Sequence, residues 1–223
     1  MMNTTYKFPK SLNPNIETMF TELMEQISIN YKNKHKFNLR MRHVIKTSFI
    51  AEEIAEDIFE DDQNIIRDIT LAGLFHDLGK ILKVKDIYLN NIFDEQVVSE
   101  DSDGHDIFGA AMVKETLTSF KKIININDES IERVYNMVRN HSSKSNMSLD
   151  LPSRIVIEAD TLSKINIEAI DDIIPVCRDV KDDLSEFMDK IVKLKPTIVT
   201  ETGIRLYEEN IDIFKNYIKN IIR

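Results

Sequence analysis

Apolar residues in this chain recur at steps of three and four along most of its 223 residues, and five glycines and five prolines are too few to divide that pattern into short strands and tight turns. The pattern predicts an all-α fold, a single-domain helical bundle. Ile16, Met19, Phe20, Leu23, Met24 and Ile27 mark the buried face of a first helix from about Asn15 to Tyr31. Lys32 to Lys36 interrupts the periodicity as a solvated connection, and a second helix spans about Leu39 to Phe59. A third begins near Asn64 and ends at Gly79, the glycine serving as its stop. From Lys80 to Gly104 the pattern weakens, which predicts a long loop or short helices. Helices resume over about His105 to Phe120, Asp128 to Asn140 and Pro152 to Ile165, and the segments Asp179 to Leu194 and Glu201 to Ile222 close the bundle. The expected organisation is an N-terminal helix and connection over 1–36, a core carrying the chemistry over 37–170, and closing helices over 171–223. No internal repeat and no low-complexity tract interrupts it.

Lysine and arginine number 29 against 38 aspartates and glutamates, a formal charge of −9. That sign repels a long polyanion and argues against duplex nucleic acid as a partner, while a small phosphorylated molecule stays compatible with a locally cationic pocket. Cys177 has no second cysteine to pair with. Met1 to Lys10 lacks the layout of a signal peptide, and no run reaches the roughly 18 apolar residues of a membrane span. A cytoplasmic protein that makes no use of a membrane is expected. Apolar residues on the outer faces of the first and last helices could support a homodimer.

The chain has five histidines, and four of them fall in the apolar phase of a predicted helix. His43 shares a face with Ile50 and Ile54, His76 follows Ile65, Ile69 and Ala72, His105 is in phase with Phe108 and Met112, and His141 with Val134 and Val138. Asp160 shares a face with Val156 and Ile157. His35 sits in the lysine-rich connection with no such phase and takes no role. Burying an imidazole or a carboxylate without a partner costs several kcal/mol, so each of these groups needs compensation. A single inward histidine is ordinarily a hydrogen-bonded core residue. Four of them with two inward aspartates match the inventory of a two-metal nitrogen and oxygen site, which a shared pair of cations would compensate together.

Arg40-Met41-Arg42-His43, then His76-Asp77-Leu78-Gly79-Lys80, then His105, His141 and Asp160 resemble the HD-domain metal-dependent phosphohydrolase superfamily over roughly Arg40 to Ile165. The resemblance implies that His43, His76, Asp77 and Asp160 bind one metal, with Asp77 bridging to a second held by His105 and His141. Arg40, one turn before His43, resembles the family's phosphate-binding arginine. Asp77 is the expected catalytic carboxylate, and Lys80, one turn after His76, is placed to neutralise a phosphate oxygen or to act as a helix C-terminal cation. Lys144, with Ser142 and Ser143, could line the substrate entrance or be ordinary loop residues. His105-Asp106 is a second tandem His-Asp, but only His76-Asp77 follows an apolar helix. The last two histidines are similar to those of the binuclear members, the cyclic-dinucleotide phosphodiesterases and the symmetrical diadenosine-tetraphosphate hydrolases. Ser142 to Asn146 stands where the cyclic di-GMP enzymes carry Gly-Tyr-Pro, which argues against that substrate. Ligands without thiolate suit two divalent transition metals per chain, iron or manganese first, with cobalt, nickel or zinc also compatible. Two such ions with two carboxylates leave the inner shell near +2, which attracts phosphate. The expected activity is hydrolysis of a nucleotide or another small phosphate ester or anhydride. Two other readings of the same ligand set stay open: a di-iron oxygenase, and a nucleotide-sensing module without turnover.

Overall fold

Side-chain oxygens ahead of the apolar runs decide where most of the helices begin. The structure, a computed structural model, describes residues 6–31, 33–81, 104–142 and 148–223. Among these residues there are α-helices and short 3-10 turns and no strand, the all-α class expected from the periodicity. α1 (Pro14–Asn30) starts behind Asn13, α2 (Lys34–Phe59) behind Asn33, and α3 (Gln63–Phe75) behind Asp62, each side chain accepting a backbone N–H of the first turn. After the short α4 (Leu78–Ile81) come α5 (His105–Ile124), α6 (Asp128–Asn140) capped by Asn127, and α7 (Leu151–Leu162) capped by Asp150. α8 (Ile167–Ile173), α9 (Val180–Lys193) and α10 (Glu201–Ile221) follow, capped by Asn166, Asp179 and Thr200.

Several boundaries differ from the sequence expectation. Lys34, His35 and Lys36 are already helical, because Asn33 accepts the Lys36 N–H and starts α2 early; His35 stays exposed. α3 ends at Phe75 instead of Gly79, and Gly79 lies inside α4. α5 continues past Phe120 to Ile124, where Asn125 turns the chain with a φ of 54° and the Asn13 and Asn15 amides donate to the last carbonyls. α7 stops at Leu162, short of Ile165, and α8 is a helix that the periodicity does not announce. Most of the expected loop from Lys80 to Gly104 lies outside the described residues.

α2 packs along α3, α7 lies against both, and α6 packs between α3 and α5. Ile54, Ile66, Ile69, Val134, Val138, Ile155 and Val156 are fully buried in this arrangement, and each contributes about 1.5–3 kcal/mol by leaving water. The N-terminal segment joins the core through edge-to-face contacts of Phe8 with Phe20 and of Phe20 with Phe75, at 5.9 and 5.3 Å. Gly73 lets α3 settle on α2, since a β-carbon there would stand 3.1 Å from the Ala51 side chain and the Ser48 backbone. The buried Glu158 of α7 accepts the N–H groups of Val199 and Thr200, which fixes the start of α10. Among the described residues no helix is long and apolar enough to cross a membrane.

Candidate metal centre

Two helix faces and the ends of three helices converge on one place. His43 comes from the middle of α2 and Asp160 from the last turns of α7. His76 is the residue at which α3 ends, with Asp77 in the turn to α4; His105 opens α5, and His141 ends α6. The carbonyls left free in a last helical turn are taken up here by the histidines themselves. His76 Nδ1 donates to the Gly73 carbonyl at 2.8 Å and His141 Nδ1 to the Val138 carbonyl at 2.6 Å. In both rings the Nε2 lone pair is thereby turned toward the centre.

The six residues form two groups whose ligand atoms lie close enough to share a cation: His43, His76 and Asp160, and Asp77, His105 and His141. In the first group the Nε2 atoms of His43 and His76 are 3.2 Å apart and lie 3.0 and 3.4 Å from Asp160 Oδ1. The tautomer of His43 follows from its neighbour. Ser163 Oγ uses its one proton on the Asp160 carbonyl, so at 3.1 Å it accepts from His43 Nδ1. With both rings neutral, all three atoms facing one another are lone-pair donors, an arrangement that is repulsive unless positive charge, a proton or a metal ion, lies between them. Asp160 Oδ1 is buried without a hydrogen bond, which adds to the same deficit.

In the second group the Nε2 atoms of His105 and His141 are 3.2 Å apart, and Asp77 Oδ1 lies 3.5 Å from His141. The Asp77 carboxylate also comes within 3.6 Å of His76 and 3.9 Å of His43. It faces both groups, as a bridging ligand must. The donor set fits a pair of divalent cations.

The electrostatics of these side chains carry the same message. Burial alone would raise the Asp77 carboxyl, but the His76 and His141 rings and the Lys80 ammonium hold it well below the carboxylate range. Asp160 is likewise held low against its burial by Lys164, His43 and His76. Burial of His76 is outweighed by Asp77 and Asp160, which raise its pKa, whereas burial lowers that of His43. His105 is brought down to about 4 by burial and by the charge of Lys80. A raised His76 pKa means that its neighbouring carboxylates favour positive charge at Nε2, the place where a metal ion would supply it.

Lys80 Nζ lies 2.7 Å from Asp77 Oδ1, and Arg40 Nη1 lies 3.6 Å from Asp77 Oδ2. Both expected phosphate-binding cations therefore stand at the rim of the centre, paired with Asp77. Lys144 and Ser143 lie outside the described residues. Ser142 donates to Asp106, one position beyond the His105 and His141 pair. Ser163 and Lys164, whose Nζ bonds Asp160 Oδ2 at 2.8 Å, are site residues that the sequence reading passed over. The four-residue spacing from Asp160 to Lys164 was the available signal for one of them. Gly79 also has a different role from the expected helix stop. A β-carbon there would stand 1.9 Å from the His105 carbonyl oxygen, so the glycine is what allows α4 to bring Asp77 up to α5.

A helical bundle that gathers four imidazoles and two carboxylates around an electron-rich centre belongs to the class of helical metal-binding proteins. The family model of the HD domain matches residues 40–165, more than half of the chain, and the chain belongs to that family, a superfamily of metal-dependent phosphohydrolases. No curated protein and no solved structure gives a match.

Proposed function

We propose that this chain is a metal-dependent phosphohydrolase that cleaves a nucleotide or another small phosphate ester or anhydride at a pair of divalent cations. The supporting observation is the close convergence of His43 Nε2, His76 Nε2 and Asp160 Oδ1, beside a second grouping of Asp77, His105 and His141. Bound there, two divalent ions supply activated water and positive charge for in-line attack at phosphorus. Asp77 joins the two groups and keeps their spacing. Arg40 and Lys80 each spend part of their donor capacity on Asp77, and their remaining N–H groups are free to meet phosphoryl oxygens as negative charge builds on them. Ser163 holds His43 in the ligating tautomer, and Lys164 keeps Asp160 ionised.

The test is phosphate release by protein stripped with a chelator and reloaded with manganese or iron, in the absence of oxygen. Release that needs the metal and falls by at least about a hundredfold in His76→Ala is expected. Turnover that requires oxygen, or none with both ions bound, would overturn the reading.

A further inference from the structure

A cleft of about 970 Å³ opens from His43 and Asp77 and runs between α2 and α8. Along α2 its lining passes from Arg40 and His43 through Lys46 to Phe49 and Ile50. With a phosphoryl group seated at His43, about 10 Å of helix remain for the rest of the substrate. That remainder meets two kinds of wall. One is apolar, made by Phe49, Ile50, Ile173, Phe187 and Tyr6. Phe49 is 40% exposed within this cleft, whereas Phe37 of the same helix is buried and Phe59 partly buried.

The second wall is charged but self-neutralised. Arg42 donates to Asp172 through both Nε and Nη2, and Lys46 Nζ lies 3.6 Å from Glu168. Asp171 accepts the Tyr217 hydroxyl at 2.6 Å. Arg40 and Lys164 line the metal end, paired with Asp77 and Asp160; beyond it, among the described residues, Glu168, Asp171 and Asp172 face Arg42 and Lys46, and both cations already have carboxylate partners. Among the described residues, a chain of further phosphates laid along this cleft would meet an excess of carboxylates and only cations that are already paired.

From this cleft, and resting on the hydrolase reading above, we infer that the substrate carries a single phosphate, the one at the metals, on an uncharged leaving group whose planar apolar portion lies against Phe49. Phe49 is then the specificity-determining residue. The inference points away from dinucleoside polyphosphates, the substrates of the hydrolases that the late motifs, His141 to Met147 and Ser153 to Asp160, resemble.

Steady-state kinetics on the manganese-loaded full chain decide it, with 1-naphthyl phosphate, glycerol 2-phosphate and magnesium-saturated ATP as probes. Naphthyl phosphate is expected to give the highest kcat/KM, ahead of ATP by at least about tenfold. Phe49→Ala, a change at a half-open position, is expected to raise KM for naphthyl phosphate about fivefold while leaving kcat and the glycerol phosphate kinetics within about twofold. A preference for ATP, or an equal loss for both monoesters, overturns the inference and leaves the hydrolase reading standing. If no probe is turned over, the hydrolase reading fails, and calorimetric titration of the same protein decides the cleft. Tighter binding of naphthyl phosphate, weakened in Phe49→Ala, upholds the apolar wall; tighter binding of ATP overturns it.

Discussion

Asp68 of α3 is bonded to Arg133 of α6, and each stands the same distance along its helix ahead of a site histidine, His76 in one case and His141 in the other. Asp68 Oδ2 accepts from Arg133 Nε and Nη2 at 2.9 and 2.6 Å, and Oδ1 accepts from Arg67 Nη2 at 2.9 Å. About 12 Å of helix further on, the His76 and His141 rings meet edge to face at 5.2 Å. The buried pair sets the register in which two parallel helices deliver the two rings.

Replacing Asp68 by alanine should cost about 3 kcal/mol or more, because two half-buried arginines lose the carboxylate that neutralises them. The urea midpoint should fall accordingly. Metal affinity should fall with it in protein that is still folded, since the register of His76 and His141 is lost. Unchanged metal affinity in a destabilised variant would show that the pair only holds the helices together.

Gly79→Ala places a β-carbon 1.9 Å from the His105 carbonyl oxygen and crowds Gly109 on the same face. Neither partner is a flexible side-chain end, so α4 and α5 must separate, at a cost of about 1–3 kcal/mol. Metal at Asp77, His105 and His141 should be lost while the group of His43, His76 and Asp160 keeps its ion. Elemental analysis of the dialysed variant against wild type reads this directly, and wild-type metal content would refute it.

Ser163→Ala removes the acceptor that keeps the proton on His43 Nδ1. The ring is then free to protonate at Nε2, the ligating atom, and metal affinity should fall about 10- to 100-fold with little change in thermal stability. A competition titration with a chelating dye measures the affinity. An affinity within about twofold of wild type would mean that the cation alone selects the tautomer.

How much of this was legible in the sequence follows from how local each feature is. The phases of His43 and Asp160 are set by neighbours three to eleven residues away, so the helical spacing of Ile50, Ile54, Val156 and Ile157 already turned both groups inward. His76, His105 and His141 stand at helix ends, where a single turn still carries the phase. Gly79 was misread because a glycine after an apolar run is most often a stop. Its actual reason, the approach of the His105 carbonyl, involves a residue distant in the chain. The same distance hides Ser163 from His43 and Asp68 from Arg133. α8 was missed because seven residues carry too little periodicity, and with it went the far wall of the cleft.

Glu158 supplies a pH dependence separate from the metal ligands. Burial raises its pKa above the ordinary 4.5, and the N–H groups of Thr200 and Val199 with the charge of Arg154 offset this only in part. The folded chain therefore retains a proton at Glu158 over a window in which the unfolded chain has released it. Stability declines as pH rises from 4.5 through the raised folded value, and the contribution is flat below that window and above it. Glu158→Gln keeps an oxygen for the Val199 and Thr200 N–H groups and removes the titration. The wild-type stability minus that of the glutamine variant should thus decrease with rising pH across the window, whatever its sign at one pH. Urea unfolding of both proteins at steps from pH 4 to pH 8 tests it; a difference that stays level, or that grows with pH, would mean that the buried carboxylate is fully stabilised in its charged form.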